Sequence, residues 1–339
     1  PLIKRQIGTK LQKYVIEDSK EGWGNSLYVG LKAWFNGKDV EFDYSKLRPA
    51  GARLKTMGGR SSGPEPLKNL LDFSRFTILS RQGKRLTNLN VHDVVCKIGE
   101  VVVMGGVRRS ALISLSDLDD DAIRLAKTDQ FFIKNPQRQL ANNSAVYIKK
   151  PSAAEFMEEW LALAKSGTGE RGIFNREGLK NQLPERRWKK FKKHWATAGT
   201  NPCGEIVLRS KQFCNLTEVV ARAEDTEESL LKKARIATIL GTYQSTLTYF
   251  PYLSKEWKEN CEEERLLGVS ITGQWDCKAV RNEKTLRKLR AMVLKTNIKY
   301  AKQFGINPST CTTCVKPSGT VSQLVNASSR MHPRYAPFY

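Results

Sequence analysis

Residues 201–205 bring together an amide, a thiol and a carboxylate in the order Asn-Pro-Cys-Gly-Glu. A carboxylate can accept a proton, an amide can hold a hydroxyl group, and a sulfur atom supports covalent or radical chemistry. Because proline removes a backbone donor and glycine permits unusual dihedral angles, the segment is predicted to be a tight, pre-shaped loop. The pattern indicates a site that moves hydrogen, but a loop cysteine beside a solvated glutamate would have the same sequence.

Two other features could act with this loop. A second thiol, Cys214, lies eleven residues after Cys203. Residues 316–322, Lys-Pro-Ser-Gly-Thr-Val-Ser, surround a glycine with small hydroxylated side chains and could open a helix. Backbone N–H groups and the dipole at a helix start favour an anion such as phosphate, although an ordinary turn can have this composition too.

Residues 104–110, Met-Gly-Gly-Val-Arg-Arg-Ser, form a third candidate segment. Its two glycines let a backbone approach a ligand closely, and its two arginines offer planar donors for a phosphate or a base edge. The apolar stretch 91–103 precedes it and is predicted to be buried. His92 and Cys96 in that stretch are predicted to be core residues rather than ligands.

The pair Cys311 and Cys314 has the spacing of half a zinc site or of a redox pair. Zinc would need two more ligands, whereas the other cysteines are scattered singly and the chain has only three histidines. We therefore expect the segment to be a strand that leads to residues 316–322, and we predict no metal site.

Hydrophobic periodicity supplies the elements that must position these residues. Alternation predicts strands at 40–44, 141–149, 206–208 and 267–272. Helical spacing predicts a helix around 27–35, a second after the capping box of Ser152 and Glu155, a third from Asp225 toward Gly241, and a fourth over 286–304. In the second helix Phe156, Trp160, Leu163 and Ala164 are predicted to face inward. Strands that alternate with helices indicate an α/β architecture.

Composition limits the class of protein. The chain has 339 residues with 40% hydrophobic residues, which is enough for a substantial core. No apolar run approaches the ~18 residues of a membrane span, and the first residues lack the apolar stretch of a signal peptide. Because the seven cysteines show no disulfide framework, we expect reduced thiols and a cytoplasmic location, with no membrane partner.

The formal net charge is +23, which could indicate a polyanionic partner. The densest basic cluster, residues 186–195, interleaves arginines and lysines with aromatic residues, a pattern that also suits single-stranded nucleic acid. We favour a solvated helix face whose aromatic side chains pack inward, and a nucleic-acid partner is not expected.

Residues 201–219 resemble the active-site finger loop of ribonucleotide reductases. Their form is closest to the adenosylcobalamin-dependent (class II) enzymes, in particular the monomeric triphosphate reductases. Six other segments resemble parts of the same family in the same order: LRPAGARLKTMGGRSSGPEP, VVVMGGVRRSALISLSD, ANNSAVYI, GIFNREG, VKPSGTVS and HPRYAPFY. Because they run from about Leu47 to Tyr339, the resemblance covers most of the chain.

The resemblance implies a ten-stranded α/β barrel with the finger loop threaded through its centre. Residues 1–339 would form one catalytic barrel domain that is incomplete at both ends. One reducing cysteine would lie upstream and a C-terminal shuttle pair downstream. We therefore expect the isolated chain to be inactive.

The resemblance also implies a mechanism. A radical derived from adenosylcobalamin takes a hydrogen atom from Cys203, and the resulting thiyl radical abstracts the 3′-hydrogen of a ribonucleoside triphosphate. Glu205 acts as general base on the 3′-hydroxyl, Asn201 holds the sugar, and Cys214 supplies reducing equivalents until a thioredoxin-like reductant restores it.

Two loops receive roles by resemblance. The substrate phosphates would be held by Pro317, Ser318, Gly319, Thr320 and Ser322. The substrate base and a deoxynucleotide allosteric effector would be read by the specificity loop, with Gly105, Gly106, Arg108 and Arg109. Two alternatives stay open: the large subunit of a diiron (class I) reductase, and a nucleic-acid-binding module that uses the basic surface.

Overall fold

The computed structural model describes residues 1–6, 11–54, 58–104 and 110–336. The chain divides into two compact units, Pro1–Phe174 and Asn175–Tyr339. The interpretation of residues 1–339 as one catalytic domain stays a prediction.

The first unit contains parallel strand pairs and helices. Its strands are β1 (Leu11–Val15), β2 (Asp39–Asp43), β3 (Leu112–Ser116), β4 (Ala141–Tyr147) and β5 (Gly172–Asn175). Its helices are α1 (Lys20–Phe35), α2 (Glu65–Leu79), α3 (Asn88–Met104), α4 (Asp121–Arg124), α5 (Phe131–Lys134) and α6 (Ala153–Ser166), with a 3₁₀ turn at Pro136–Leu140. β1 pairs with β2, and β3, β4 and β5 form a three-stranded sheet in that order.

Helix α1 confirms the predicted helix around residues 27–35 and supplies the centre of this unit's core. The Ser19 hydroxyl caps its start by accepting from the Gly22 N–H, and the chain turns away at Gly37 with φ of 69°. Trp34 is fully buried and donates from Nε1 to Asp39 on β2 at 3.1 Å. The helix is thereby tied to the sheet.

Helix α6 has the predicted capping box, but its buried face is not the predicted one. Ser152 accepts from the Glu155 N–H at 3.2 Å, and Glu155 accepts from the Ser152 N–H at 2.8 Å. Phe156 and Trp160 are 38% and 53% exposed, so the inward prediction for them was wrong. Glu159 is buried instead, because it pairs with arginines of this unit, including Arg171 at 2.7 Å.

Strand β4 is shorter than the predicted strand at 141–149. It ends at Tyr147. Val146 is buried as expected, but Ile148 lies beyond the strand and is exposed.

The second unit contains the Asn-Pro-Cys-Gly-Glu loop of residues 201–205. Its strands are β6 (Gly199–Thr200), β7 (Val207–Leu208), β8 (Asn215–Val220) and β9 (Leu267–Thr272). Its helices are α7 (Leu179–Gln182), α8 (Glu185–Phe191), α9 (Glu227–Gln244), α10 (Lys255–Glu264), α11 (Glu283–Gln303) and α12 (Thr320–Leu324), with 3₁₀ turns at Lys192–Thr197 and Ala279–Arg281.

Strand β9 is the middle of a small parallel arrangement. β8 pairs with it from Asn215↔Leu267 to Val220↔Thr272. Thr313 forms a parallel bridge to Val269. Because Val269 is also paired with β8, the segment around Thr313 lies on the other edge of β9. The predicted strand at 267–272 is confirmed.

Helices α9 and α11 cover one face of this arrangement. The shared core is made by Val219, Ala221, Leu230, Ala234, Ala237, Val269, Cys277, Val280, Leu289 and Val293. Thr226 caps α9 by accepting from the Ser229 N–H at 3.3 Å, so the prediction of Asp225 as its cap was wrong by one residue. Asp225 instead accepts from the Arg222 N–H and the Ser229 hydroxyl.

The architecture is α/β, as predicted. Within the described residues the largest sheet has three strands and the other sheets have two, so a ten-stranded barrel is not seen in these sheets. In the part of the chain that the structure describes, no helix has the length and apolar character needed to cross a membrane.

Candidate active site

The loop of residues 201–206 is a tight turn between two short strands. β6 and β7 pair antiparallel, with Thr200 opposite Val207. The Asn201 side chain accepts from the Ile206 N–H at 2.9 Å, and the Gly204 N–H donates to the Asn201 carbonyl at 2.9 Å. Gly204 has φ of 82°, which a glycine adopts without strain. The predicted pre-shaped loop is confirmed, and Asn201 closes it from within.

Cys203 lies at the exposed tip of this loop. Its partial burial and the negative charge of Glu205 raise the pKa of the thiol, and the positive charges of Arg330 and Lys316 oppose the rise without cancelling it. At neutral pH the group is therefore a thiol with its hydrogen in place.

Glu205 is the charged group at the centre of the site. Its Oε2 is buried and accepts no hydrogen bond from any residue that the structure describes. A buried polar atom without a partner costs roughly 1–3 kcal/mol. The charge of the same carboxylate contributes to the raised pKa values of three thiols, Cys203, Cys214 and Cys314.

Cys214 stands directly before β8 and is partly buried. Burial raises its pKa strongly, and the neighbouring Cys314 raises it further. Burial and the charge of Glu205 raise the pKa of Cys314 to about 12. Both groups are neutral thiols at physiological pH, so the site can donate hydrogen from more than one sulfur.

The segment around Cys311 and Cys314 runs beside β9, but it forms an isolated bridge at Thr313 rather than the predicted strand. The Leu267 N–H donates to the Cys311 carbonyl at 3.0 Å, and the Cys314 N–H donates to Val269 at 3.2 Å. Burial raises the pKa of Cys311, and the charge of Arg187 opposes that rise. The pKa of Cys314 is raised by burial and by the charge of Glu205, so the two thiols have different surroundings. Among the described residues, no three His, Cys, Asp or Glu side chains are grouped to hold a metal ion.

The predicted phosphate segment opens a short helix, α12, directly after Gly319. Ser318 and Ser322 are buried and bond within the turn, where the Ser322 N–H donates to the Ser318 hydroxyl at 3.1 Å. The Ser322 hydroxyl donates to the carbonyls of Ser318 and Gly319, each at 2.9 Å. Pro317 is partly buried, while Gly319 and Thr320 are exposed. The exposed polar part of the segment is thus Gly319 and Thr320, and the apolar side chain of Val321 next to them is exposed as well.

Two cations that the sequence interpretation missed lie near the thiols. Lys316 and Arg330 both act to lower the pKa of Cys203 and of Cys314. Arg330 is fixed at the end of β9, where its N–H donates to the Thr272 hydroxyl at 3.2 Å. Their places in the sequence could have identified these two residues, because Lys316 belongs to the VKPSGTVS motif and Arg330 lies two residues before the HPRYAPFY motif.

The basic cluster 186–195 has the predicted solvated face. Its lysines are exposed, and Phe191 is fully buried. Arg187 departs from the prediction because it is buried. It donates to Glu264 at 3.0 Å and to the Val207 carbonyl at 2.7 Å. The cluster therefore anchors β7, the strand that follows the loop.

The specificity-loop residues Gly105, Gly106, Arg108 and Arg109 lie outside the described residues. In the first unit, a cavity of about 840 Å³ is lined by residues of α3, β3 and α4. His92 and Cys96 border it and are buried, as predicted for core residues. His92 Nε2 lies 3.0 Å from Asn143 Oδ1.

The chain is similar to known reductases over most of its length. No family model matches it. It is 30% identical over 360 residues to the adenosylcobalamin-dependent ribonucleoside-triphosphate reductase of Lactobacillus leichmannii, covering 96% of this chain and 48% of that protein. The protein of the same name from Euglena gracilis is 30% identical over 331 residues, covering 94% of this chain and 44% of that protein. The chain spans about half the length of these curated relatives.

Solved structures give the same result. A B12-dependent (class II) ribonucleotide reductase matches with a TM-score of 0.74 and 25% identity, over 98% of this chain and 50% of that one. The alpha subunit of the Actinobacillus ureae class Id ribonucleotide reductase matches with a TM-score of 0.53 and 16% identity, over 97% of this chain and 63% of that one, a likeness of fold. The resemblance inferred from the motifs is confirmed, and the two alternatives are not favoured.

Proposed function

We propose that this chain, a relative of the adenosylcobalamin-dependent ribonucleoside-triphosphate reductases over nearly its whole length, carries the centre that reduces ribonucleoside triphosphates to 2′-deoxyribonucleotides. One observation carries the proposal. The buried Oε2 of Glu205 has no hydrogen-bond donor among the described residues, and its charge acts on Cys203, Cys214 and Cys314. A substrate hydroxyl would supply the missing donor.

Glu205 would accept the proton of the ribose 3′-hydroxyl. A general base must lie within hydrogen-bond reach of the proton it takes, and a carboxylate oxygen without another partner is available for that bond. Asn201 supports this role because its side chain fixes the turn that carries both Cys203 and Glu205. The Asn201 side chain would also hold the sugar in its reactive pose.

Cys203 would give up its S–H hydrogen and then take the 3′-hydrogen of the substrate. Adenosylcobalamin, when bound, supplies the radical chemistry that amino-acid side chains lack. One feature of the chain is compatible with adenosylcobalamin as the cofactor. Cys203 is an exposed, protonated thiol on a loop with a fixed backbone.

Cys214 would supply reducing equivalents from its thiol as the 2′-hydroxyl leaves as water, and would end as a disulfide with an upstream cysteine. A thioredoxin-like protein would then reduce this disulfide. The free state of all seven cysteines suits a reducing compartment, and we place the protein in the cytoplasm.

The triphosphate would lie toward Lys316 and Arg330, with Gly319 and Thr320 offering exposed backbone and hydroxyl groups. The specificity loop, with Gly105, Gly106, Arg108 and Arg109, would read the base and the deoxynucleotide effector. Lysine and arginine side chains are the usual partners of phosphate oxygens.

We also propose the family's ten-stranded barrel as the architecture of the complete catalytic domain. The parallel order β8, β9 and the Thr313 segment would form part of its wall. Helices cover the side of these strands that holds Val219 and Val269, while Cys214 and Cys314 meet at Gly268 in the same strands. A barrel wall separates an outer helical layer from an interior in this way.

Separate titrations of the chain test the proposal. Ribonucleoside triphosphates and adenosylcobalamin are added in turn, and binding is followed by calorimetry. Saturable binding of both supports the reductase function. Retention on single-stranded DNA with a steep salt dependence, and no binding of either ligand, would support the nucleic-acid module instead.

A further inference from the structure

Gly268 lies inside strand β9, where glycine is a poor choice for stability. A methyl group at this position would collide with the side chain of Leu216. It would also lie 2.8 Å from Cys314 Sγ and 3.3 Å from Cys214 Sγ. The space above Gly268 is therefore filled by the side chains of Leu216, Cys214 and Cys314, which come from the segments on both sides of β9.

The sulfur atoms of Cys214 and Cys314 are close together, but the backbones of these two residues are not. Since both lie within 3.3 Å of one point above Gly268, they are at most about 6 Å apart. β8 and the Thr313 segment flank β9 on opposite sides, and neighbouring strands are spaced by about 4.8 Å. The backbones of Cys214 and Cys314 are therefore separated by roughly two such spacings, beyond the ~7 Å Cα limit for a disulfide.

We propose that Gly268 and Cys314 are positioning residues for Cys214, in that Gly268 leaves a hollow that Leu216 and the two sulfurs share, and Cys314 closes the side of that hollow opposite Cys214. Cys314 takes no part in disulfide exchange. The separation of the two backbones keeps the Cys214 thiol from forming a disulfide with the Cys314 sulfur. This inference rests on the proposed function, in which Cys214 is the reducing thiol.

The electrostatics agree with this geometry. Burial raises the pKa of Cys214 strongly, and Cys314 is the next contributor. Cys314 is itself buried near Glu205, with a pKa of about 12, so the pair stays doubly protonated. Burial disfavours a thiolate on Cys214 and thereby limits unproductive thiolate attack on other disulfides.

A cross-linking experiment on the 339-residue chain tests the geometry. Dibromobimane is a short reagent that becomes fluorescent when it joins two thiols. Because both reactions need a thiolate and burial raises the pKa values of the two cysteines, both are run at the same alkaline pH. We expect a fluorescent Cys214–Cys314 product, identified by peptide mapping, and no Cys214–Cys314 disulfide after treatment with diamide. The Gly268→Ala variant should lose most of the cross-link.

A matched control is Gly241→Ala. Gly241 lies on α9, against the opposite side of the same strands, and a methyl group there would make ordinary contacts of 3.4 Å with Leu267 and Thr217. This variant should cross-link like the unmodified chain. Equal cross-linking in Gly268→Ala, or a Cys214–Cys314 disulfide in the unmodified chain, would overturn the proposal.

Turnover by the full-length protein that contains this chain tests the consequence. Gly268→Ala should lower kcat by about 10-fold or more with little change in KM, because the thiol is displaced rather than the substrate. Adding Cys314→Ala, which removes the sulfur 2.8 Å away, should restore part of the loss. Cys314→Ser should lower kcat by less than about 10-fold, whereas Cys214→Ser should abolish turnover.

If Cys314→Ser abolishes turnover as completely as Cys214→Ser does, Cys314 takes part in the redox chemistry. That result would refute the positioning role. If the unmodified protein does not reduce ribonucleotides at all, the proposed function fails, whereas the cross-linking result still decides whether Gly268 sets the position of the two thiols.

Discussion

Arg187 and Glu264 form an ion pair at 3.0 Å in which the two side chains are only 2% and 0% exposed. The guanidinium of Arg187 also donates to the Val207 carbonyl at 2.7 Å. Val207 begins the short strand that leaves the loop of residues 201–206. One arginine of an otherwise solvated basic helix thus connects the candidate active-site loop to α10.

Replacing this arginine should destabilise the second unit. Arg187→Met leaves the Glu264 carboxylate buried with fewer partners, and breaking a buried pair in this way costs about 3–5 kcal/mol. The loss of unfolding free energy should lie at the lower end of this range, because Arg209 and Gln212 also contact Glu264. Urea unfolding of the chain measures the change.

The matched control for that variant is Lys189→Met on the same helix. Lys189 pairs with Glu185 at the surface, where both side chains are mostly exposed. Its replacement should leave the free energy of unfolding essentially unchanged. Similar losses in the two variants would show that helix α8, rather than the buried pair, determines the effect.

Cys203→Ser should abolish ribonucleotide reduction by the full-length protein and leave nucleotide binding nearly unchanged. A hydroxyl group does not readily form the radical that a thiol forms, while the loop backbone is held by Asn201 and not by the sulfur. Product formation and calorimetric titration measure the two properties. Retained turnover would refute the role of Cys203, and Cys261→Ala, at a buried thiol of α10, controls for the loss of a cysteine.

Glu205→Gln should lower the pKa of Cys203. Partial burial and the Glu205 charge together raise that pKa, so removing the charge leaves a smaller rise. The rate of Cys203 alkylation by iodoacetamide should then reach half of its maximum at a lower pH, as followed by peptide mass spectrometry. Glu263→Gln, at a carboxylate that pairs with Arg209, should leave this profile in place. An unshifted profile in Glu205→Gln would separate the carboxylate from the thiol.

The first unit should lose stability in acid through Asp93. Burial opposes ionisation of this carboxyl, but hydrogen bonds from Arg138, His92 and Gln137 together with the Arg138 charge outweigh burial and lower its pKa to about 2. Because the folded-state pKa is depressed, the stabilisation is present above the unfolded value near 4 and is lost as the pH falls toward 2. The loss is about 2 kcal/mol.

Urea unfolding at pH 7, 4, 3 and 2 measures this effect. Asp93→Asn removes the titrating group and should flatten the pH dependence between pH 4 and 2, although it also lowers the stability at pH 7. A variant with the same slope as the unmodified chain would show that other carboxylates, such as the paired Glu159, determine the acid response.

Local signals in the sequence predicted the parts of the fold that depend on neighbouring residues. The turn at Gly204, the capping box of Ser152 and the strand at 267–272 each follow from backbone preferences or short-range periodicity. Phe156 and Trp160 were assigned to the wrong face because periodicity treats Glu159 as a surface residue. Its distant partner Arg171 makes burial possible, and that pairing cannot be inferred from spacing.

The candidate site also has one part that could be predicted from neighbouring residues and one part that could not. Cys203 and Glu205 are neighbours in sequence, so their proximity could be predicted. Cys214, Gly268 and Cys314 meet only because β8, β9 and the Thr313 segment pair in a particular register. Register is a tertiary property, and a shift of one residue would turn each of these side chains to the other face.

Lys316 and Arg330 should contribute to the affinity for triphosphates more than to the affinity for nucleosides. Their positive charges act on Cys203 and Cys314, so they lie close enough to the thiols to meet a phosphate chain whose sugar is bound there. Lys316→Gln should weaken binding of a ribonucleoside triphosphate by about 10-fold, as for the loss of one charged hydrogen bond, and leave binding of the nucleoside unchanged.

Arg330→Asn is the second variant. Arg330 has φ of 54°, a conformation that asparagine tolerates better than most residues, so the charge can be removed with little backbone strain. Its effect on triphosphate affinity should resemble that of Lys316→Gln and should shrink at high salt, because added ions screen the interaction. Lys190→Gln, on the exposed face of α8, removes the same charge elsewhere and controls for the net charge of +23. If all three variants weaken binding equally, the overall charge attracts the nucleotide and these two side chains do not define a phosphate site.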